Sequence, residues 1–317
     1  MRAVPETPVT PTDGVSNIHS GRGRRFSGSV KALAAFTAAL LFCFCHPLIS
    51  LARYAWHSEL FSYVLLIPMI SAYLAWQKRA AIQFTGSPRR GWGSMLLCCG
   101  GLVALGGWLT SRTSGAAQVT MSVEVLAFYI CFVGACFFCL PADSLRQFAF
   151  PIGFLIFIVP FPDPLTSAIE WGLQHTSAAT AQGLFVITAT PVLRQGLVLQ
   201  LPGISLHVAP ECSGIHSTLV LFITALLAGQ LFLRGPWARA TLAFIVIPLG
   251  VLRNGFRIWT IGELCVHVGP QMIDSPIHHR GGPLFFLISL VPLIVVAFFL
   301  RKFELKTLNR SEAQPLS

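Results

Sequence analysis

Long apolar runs alternate along the chain with short polar connections rich in basic residues. A membrane-spanning helix needs about 20 mostly apolar residues. Eight runs are read as candidates: 32–52, 60–76, 92–109, 121–140, 147–161, 213–233, 240–258 and 283–300. The second, third and fifth are short and carry Pro or Gly. Between the fifth and sixth the pattern changes. "PDPLTSAIEWGLQHTSAATAQGLFVI" is helix-forming, with Leu165, Ile169 and Leu173 spaced by four, and predicts a short amphipathic helix lying along the membrane surface. "VLRQGLVLQLPGISLHV" then alternates about Pro202-Gly203. Ile204, Leu206 and Val208 share one face, Ser205 and His207 the other, which predicts a β-hairpin leading straight into Glu211-Cys212.

The expected fold is therefore all-α and polytopic, with about eight transmembrane helices and an extracytoplasmic amphipathic helix and β-hairpin between the fifth and sixth. Residues 1–30, rich in Thr, Ser, Pro, Gly and Arg without an apolar core, read as a disordered cytoplasmic tail and not as a cleavable signal peptide. Residues 31–302 form the integral membrane domain and 303–317 a second cytoplasmic tail. No internal repeat is visible, which weakens a transporter reading.

Composition supports this. The chain is 54% hydrophobic and only 11% charged, where soluble domains carry about 25% charged residues. A net charge of +10 raises the question of nucleic acid, but the basic residues sit between hydrophobic blocks, which speaks for a topology signal and against a nucleic-acid partner. With the N-terminus inside, the outer segments hold only Arg53, Arg112, Arg194, Arg253, Arg257 and Arg280 of the 22 Lys and Arg residues. Both termini are then cytoplasmic, and the 162–212 connection lies outside.

The chain has nine cysteines. Cys43, Cys45, Cys98, Cys99, Cys131, Cys136 and Cys139 lie inside apolar runs and read as packing residues. The single CxxC, Cys136 to Cys139, lies inside an apolar run, so neither a zinc ribbon nor a thioredoxin-like site is suggested. Cys212 differs. It stands in "VAPECSGIHSTLVLF", between a carboxylate and Ser213-Gly214, at the outer N-terminal end of the sixth apolar helix. Free N–H groups and the partial positive charge of a helix start favour a thiolate. Glu211 opposes this, so a further cation is needed, and Gly214 leaves room for a peptide backbone.

The seventh helix offers "VLRNGFRIW", with Arg253 and Arg257 four apart and Asn254 three before Arg257, at the helix's outer end. Arg253 reads as an anchor of that end or a lipid-headgroup contact, and Arg257 as functional, against the plainer reading of a snorkelling interfacial arginine. "SPIHHRGGPLFF" places His278 and His279 at the outer start of the eighth helix. A cysteine nucleophile, a histidine proton carrier and an arginine charge stabiliser make a peptide-bond-cleaving set. Glu124 within the fourth helix is either functional, as intramembrane carboxylates usually are, or paired with Arg112.

"ECSG" before a helix, "RNGFR" on the next, and the H-x-x-x-G from His278 to Gly282 resemble the exosortase/archaeosortase family. "HSELFSYVLLIPMISAYLAW" also looks like that family's early segment, with Ser62-Tyr63-Val64 where the family usually has Ser-His-Gly. The resemblance covers roughly residues 30–300. It implies an integral-membrane cysteine peptidase or transpeptidase. Its partners would be exported precursors carrying a C-terminal sorting signal of short motif, transmembrane helix and basic tail. It matches Cys212 to the family cysteine, Arg257 to its arginine, His278 to its histidine and Asn254 to an accompanying asparagine. His279 doubles the histidine and leaves that assignment open. No metal or organic cofactor is implied.

Two other classes compete. A membrane metalloenzyme would draw on His207, His216, His267, His278, His279, Glu263 and Asp274, though no HExxH or i, i+4 histidine pair appears. A polysaccharide-export membrane protein would need no reactive thiol. The topology is testable apart from the chemistry. A reporter fused after Gln195 should register outside the cytoplasmic membrane and one after Gly235 inside; the opposite result at both sites would refute the layout.

Overall fold

A computed structural model describes residues 15–58, 60–79, 87–113, 117–274 and 281–312. It divides into two compact units, Met1–Pro162 and Asp163–Ser317.

The first unit holds α1 (Val15–Cys43), α2 (Cys45–His57), α3 (Ile67–Lys78), α4 (Arg90–Thr113), α5 (Ala117–Cys139) and α6 (Ala142–Phe154). Helix α1 takes in part of the 1–30 stretch and meets α2 at a bend of 72°. Helices α4 and α5 pack antiparallel through glycines seven residues apart. Gly93 faces Phe138, Gly100 faces Cys131 and Gly107 faces Glu124. A Cβ on Gly93 would lie 2.8 Å from the Phe138 backbone nitrogen, so no bulkier residue lets the helices approach this closely. Arg112 does not pair with Glu124; it lies over the Trp108 ring, 4.3 Å from its centroid. Glu124 sits opposite Gly107, five residues or about 7.5 Å down the helix from Arg112. The 60–76 run is no single helix: Ser62–Leu65 is a 3₁₀ turn burying Tyr63 and Val64, and α3 has only 12 residues.

The second unit begins with α7 (Asp163–Ile187), followed by β1 (Leu193–Gln195), β2 (Val198–Leu201) and β3 (Ile204–His207). A 3₁₀ turn (Pro210–Cys212) leads into α8 (Ile215–Phe232). Then come α9 (Pro236–His267), a turn at Pro270–Asp274, and α10 (Gly282–Glu312). The strands form an antiparallel meander in the order β1-β2-β3, with Leu201 and Ile204 closing the hairpin about Pro202-Gly203. Leu206 and Val208 are buried against Phe185, Ala181 and Ile258, while Ser205 and His207 are exposed, as the alternation predicts. The meander has one strand more than the expected hairpin.

Helix α7 is longer than the short helix expected. It has 25 residues and packs on α9 through Gln174, Ser177, Ala178, Ala181 and Phe185, leaving Leu165 exposed. The i+4 row of larger apolar residues drew attention in the sequence, but close packing selects the small ones. Gly255 and Gly262 of α9 make the matching groove: a Cβ on Gly255 would come within 2.6 Å of Thr180, and one on Gly262 would strike the Phe185 ring.

Among the described residues, five helices are long and apolar enough to cross a membrane, and up to seven spans result if two bent helix pairs each count as one. That makes the protein an all-α polytopic membrane protein, with fewer spans than the eight apolar runs. The short runs 60–76 and 147–161 each break into a 3₁₀ turn and a helix of 12 or 13 residues.

The α7–α9 groove gives a stability test. Gly255→Val should lower the thermal stability of the detergent-solubilised protein by about 1–3 kcal/mol, the usual cost of overpacking. Gly183→Ala, where nothing lies within 4 Å, should be neutral or stabilise by up to about 1 kcal/mol through helix propensity. Equal melting temperatures for the two variants would show that α7 and α9 do not meet at Gly255.

Candidate active site

Cys212 ends the 3₁₀ turn between the meander and α8. The turn is made by the Cys212 N–H on the Ala209 carbonyl (2.9 Å) and the Ser213 N–H on the Pro210 carbonyl (2.9 Å). Gly214 follows with φ +73°, the left-handed backbone that a residue with a Cβ adopts only at a cost, and α8 begins one residue later. The thiol is thus three residues ahead of Ile215 and not in the first turn of the helix.

Helix α9 holds this turn from the side. Asn254 is 2% exposed and donates both amide hydrogens, to the Cys212 carbonyl (2.7 Å) and the Ser213 carbonyl (3.1 Å). Arg253 donates from Nη2 to the Gly214 carbonyl at 3.2 Å, with the Thr218 hydroxyl 3.4 Å away. Three consecutive carbonyls are therefore held by two consecutive side chains. A Cβ at Gly214 would lie 2.9 Å from Asn254 and 3.0 Å from Arg253. The space above Gly214 is thus filled by α9 and is not open to a peptide, contrary to the sequence expectation.

Arg253 also departs from expectation. It is 7% exposed and anchors no helix end, because α9 runs on to His267 and the two arginines lie well inside it. Its Nη1 is buried without a hydrogen-bond partner among the described residues. Arg257, one turn further on, lines a cavity of about 130 Å³ together with Cys212 and Asn254. Ile258, Ile261 and Val208 give that cavity apolar walls, and His207 and Ile273 complete it. Among the described lining residues Arg257 carries the fixed charge.

His278 and His279 lie outside the described residues, as does the side chain of Glu211. The chain on either side of the histidines is placed: Ile273 lines the cavity and α10 starts at Gly282. Sequence reasoning gave His207 no part in the nucleophilic set, although its place at the end of the hairpin, five residues before Cys212, was a usable signal. It also gave no role to Gly255, the centre of "RNGFR", which lets α7 approach the helix that carries Asn254 and Arg257.

Further along α9, Glu263 accepts hydrogen bonds from Thr188 (2.8 Å), Thr190 (2.6 Å) and Trp259 (3.1 Å) and pairs with His267 at 3.0 Å. This cluster fastens α9 to the end of α7. Among the described residues no three His, Cys, Asp or Glu side chains gather; His278 and His279, two of those named for a metal site, lie outside them.

The model of the family described as transmembrane exosortase matches residues 55–295, about three-quarters of the chain. The chain belongs to that family. No curated protein and no solved structure matches it. The exosortases are membrane cysteine transpeptidases that act on exported precursor proteins, and membership carries a membrane transpeptidase role in general terms.

The cavity predicts which thiol reacts. Cys131, Cys136, Cys139 and Cys265 are buried, whereas Cys43, Cys45, Cys98 and Cys99 are exposed on apolar helices, where lipid covers them. A membrane-impermeant maleimide at neutral pH should therefore modify Cys212 ahead of the other eight. Equal labelling elsewhere would show that the cavity is closed to the outer solution. Asn254→Ala should cost about 1–3 kcal/mol of stability by leaving two carbonyls without their donor.

Proposed function

We propose that the exosortase of this chain cleaves the C-terminal sorting signals of exported precursors at the outer face of the cytoplasmic membrane, with Cys212 as nucleophile. The observation that carries this is that Cys212 and Arg257, far apart in sequence, line one cavity. The Cys212 thiolate attacks the scissile carbonyl carbon, and the carbonyl π electrons move onto oxygen. The Arg257 guanidinium stabilises that oxyanion. Asn254 does not serve there, because both its amide hydrogens are engaged with the turn; it positions the cysteine. His278 gives a proton to the leaving amine nitrogen, the C–N bond breaks, and a thioester remains. His278 then takes a proton from the incoming amine or water, which attacks the thioester and releases the thiolate. The histidine assignment rests on the H-x-x-x-G spacing to Gly282 and on Ile273, which brings the preceding turn to the cavity. Both termini are cytoplasmic in this reading, and no cofactor takes part.

The test is the ratio of cleaved to uncleaved precursor in cells carrying each variant. Cys212→Ala should abolish processing, with uncut precursor accumulating in the membrane, and Cys212→Ser should be nearly as inactive because a hydroxyl is far less ionised at neutral pH. Arg257→Lys keeps the charge and loses the planar fork, so it should lower the rate, by up to about 10²–10³ if the fork supplies the oxyanion donor. His278→Ala should be worse than His279→Ala; the reverse order would move the proton carrier to His279. Normal processing by Cys212→Ala would sink the peptidase reading.

A further inference from the structure

Strand β3 is an outer strand of the meander, and the chain from Leu206 to Ala209 forms one wall of the cavity that holds Cys212. In an antiparallel pair, residues alternate between exchanging both backbone bonds with the neighbour and pointing both groups away. Val208 donates its N–H to the Leu197 carbonyl at 3.0 Å, and the pairing steps from there through Leu199↔Leu206 to Leu201↔Ile204. Leu206 and Ile204 direct their backbone groups to β2, while the Val208 carbonyl accepts from Gln174 Nε2 at 3.3 Å. Ser205 and His207, between them, direct theirs to the open edge. The His207 carbonyl is taken by the Ala209 N–H at 3.0 Å. The N–H and C=O of Ser205 and the N–H of His207 have no backbone partner among the described residues.

These groups lie two residues apart, about 6.8 Å along the strand, a spacing that an extended peptide matches and a helix does not. Neither a proline nor a lysine guards the edge, the usual ways of keeping another chain off. A peptide laid along it would carry its backbone past the thiol, with side chains alternately toward and away from the cavity.

On the transpeptidase reading given above, we propose that the precursor segment containing the scissile bond binds as a fourth strand added to the free edge of β3, seating one side chain other than a cation in the cavity. The cavity's 130 Å³ is slightly less than the roughly 150 Å³ that holds a benzene molecule. A side chain of about leucine size therefore fits. Val208, Ile258 and Ile261 give it apolar walls and Arg257 its charge, so a cationic side chain would be desolvated there without compensation.

The probe is the uncut precursor that accumulates in cells carrying Cys212→Ala. In that background Ser205→Cys is combined with single cysteines placed in turn along the residues just ahead of the precursor's C-terminal helix, and disulfides are formed with a mild oxidant. Strand addition gives cross-links at alternate precursor positions. Cross-links at every third or fourth position, or none above the level with Ser205 intact, would overturn it. In the Cys212-containing protein, Ser205→Pro removes one edge N–H and spares the bonds to β2. It should lower cleavage about tenfold, the worth of one hydrogen bond, with maleimide labelling of Cys212 unchanged. Unchanged cleavage overturns the proposal, and if labelling falls the cross-link pattern decides alone. Normal processing by Cys212→Ala is a separate result: it removes the transpeptidase reading and leaves the edge without its occupant.

Discussion

The Asn254 amide, set against the Cys212 and Ser213 carbonyls, is the contact on which the rest of the site depends. A three-residue turn between a strand and a helix has few internal hydrogen bonds of its own. Within or beside a membrane there is little water to satisfy its carbonyls. One buried amide supplies both missing donors. It does so only because Gly214 lets the turn press against α9, where a Cβ would collide with Asn254 and Arg253. The sequence Glu-Cys-Ser-Gly and the sequence Arg-Asn-Gly-Phe-Arg are thus two halves of one packing contact. Gly214 admits Asn254 and Arg253 on one side of α9. Gly255 admits Thr180 of α7 on another.

This explains how much was legible in the sequence. The convergence of Cys212 with Asn254 and Arg257 was, because each sits in a short motif whose residue types are out of place in an apolar helix. The hairpin face was, because period-two alternation is a local property. What failed were helix ends. Hydropathy ended the seventh run at 258, whereas α9 continues to His267. The continuation carries Glu263, whose charge looked like the end of a span. Its hydrogen-bond partners Thr188 and Thr190 lie more than 70 residues away in sequence, so no local pattern could announce that they satisfy it. Arg253 was misplaced for the same reason: read as the end of a helix it was an anchor, and read within the helix it is a buried clamp.

The arginine pair, Arg253 buried and Arg257 half-buried, sets a further constraint. Arg253 and Arg257 are four apart, the spacing at which like charges on a helix repel. Arg253 retains a buried Nη1 without a hydrogen-bond partner among the described residues. Burying a cation with an idle donor is costly. The cost is offset where a negative charge lies close by, and the neighbouring Arg257 shares its cavity with Cys212, the proposed nucleophile.

That placement changes the origin of the thiol's reactivity. The sequence suggested the partial positive charge at the start of α8. That influence falls off within a turn, and the thiol belongs to a 3₁₀ turn ahead of the helix, with Gly214 in a left-handed conformation between them. Its N–H is already bonded to Ala209 and its carbonyl to Asn254. The backbone therefore offers a thiolate little more than a fixed position. The positive charge has to come from a side chain, and Arg257 on α9 lines the same cavity. On the proposed function, α8 serves to hold the turn, and α9 supplies both the clamp on the proposed nucleophile and the cation that lines its cavity.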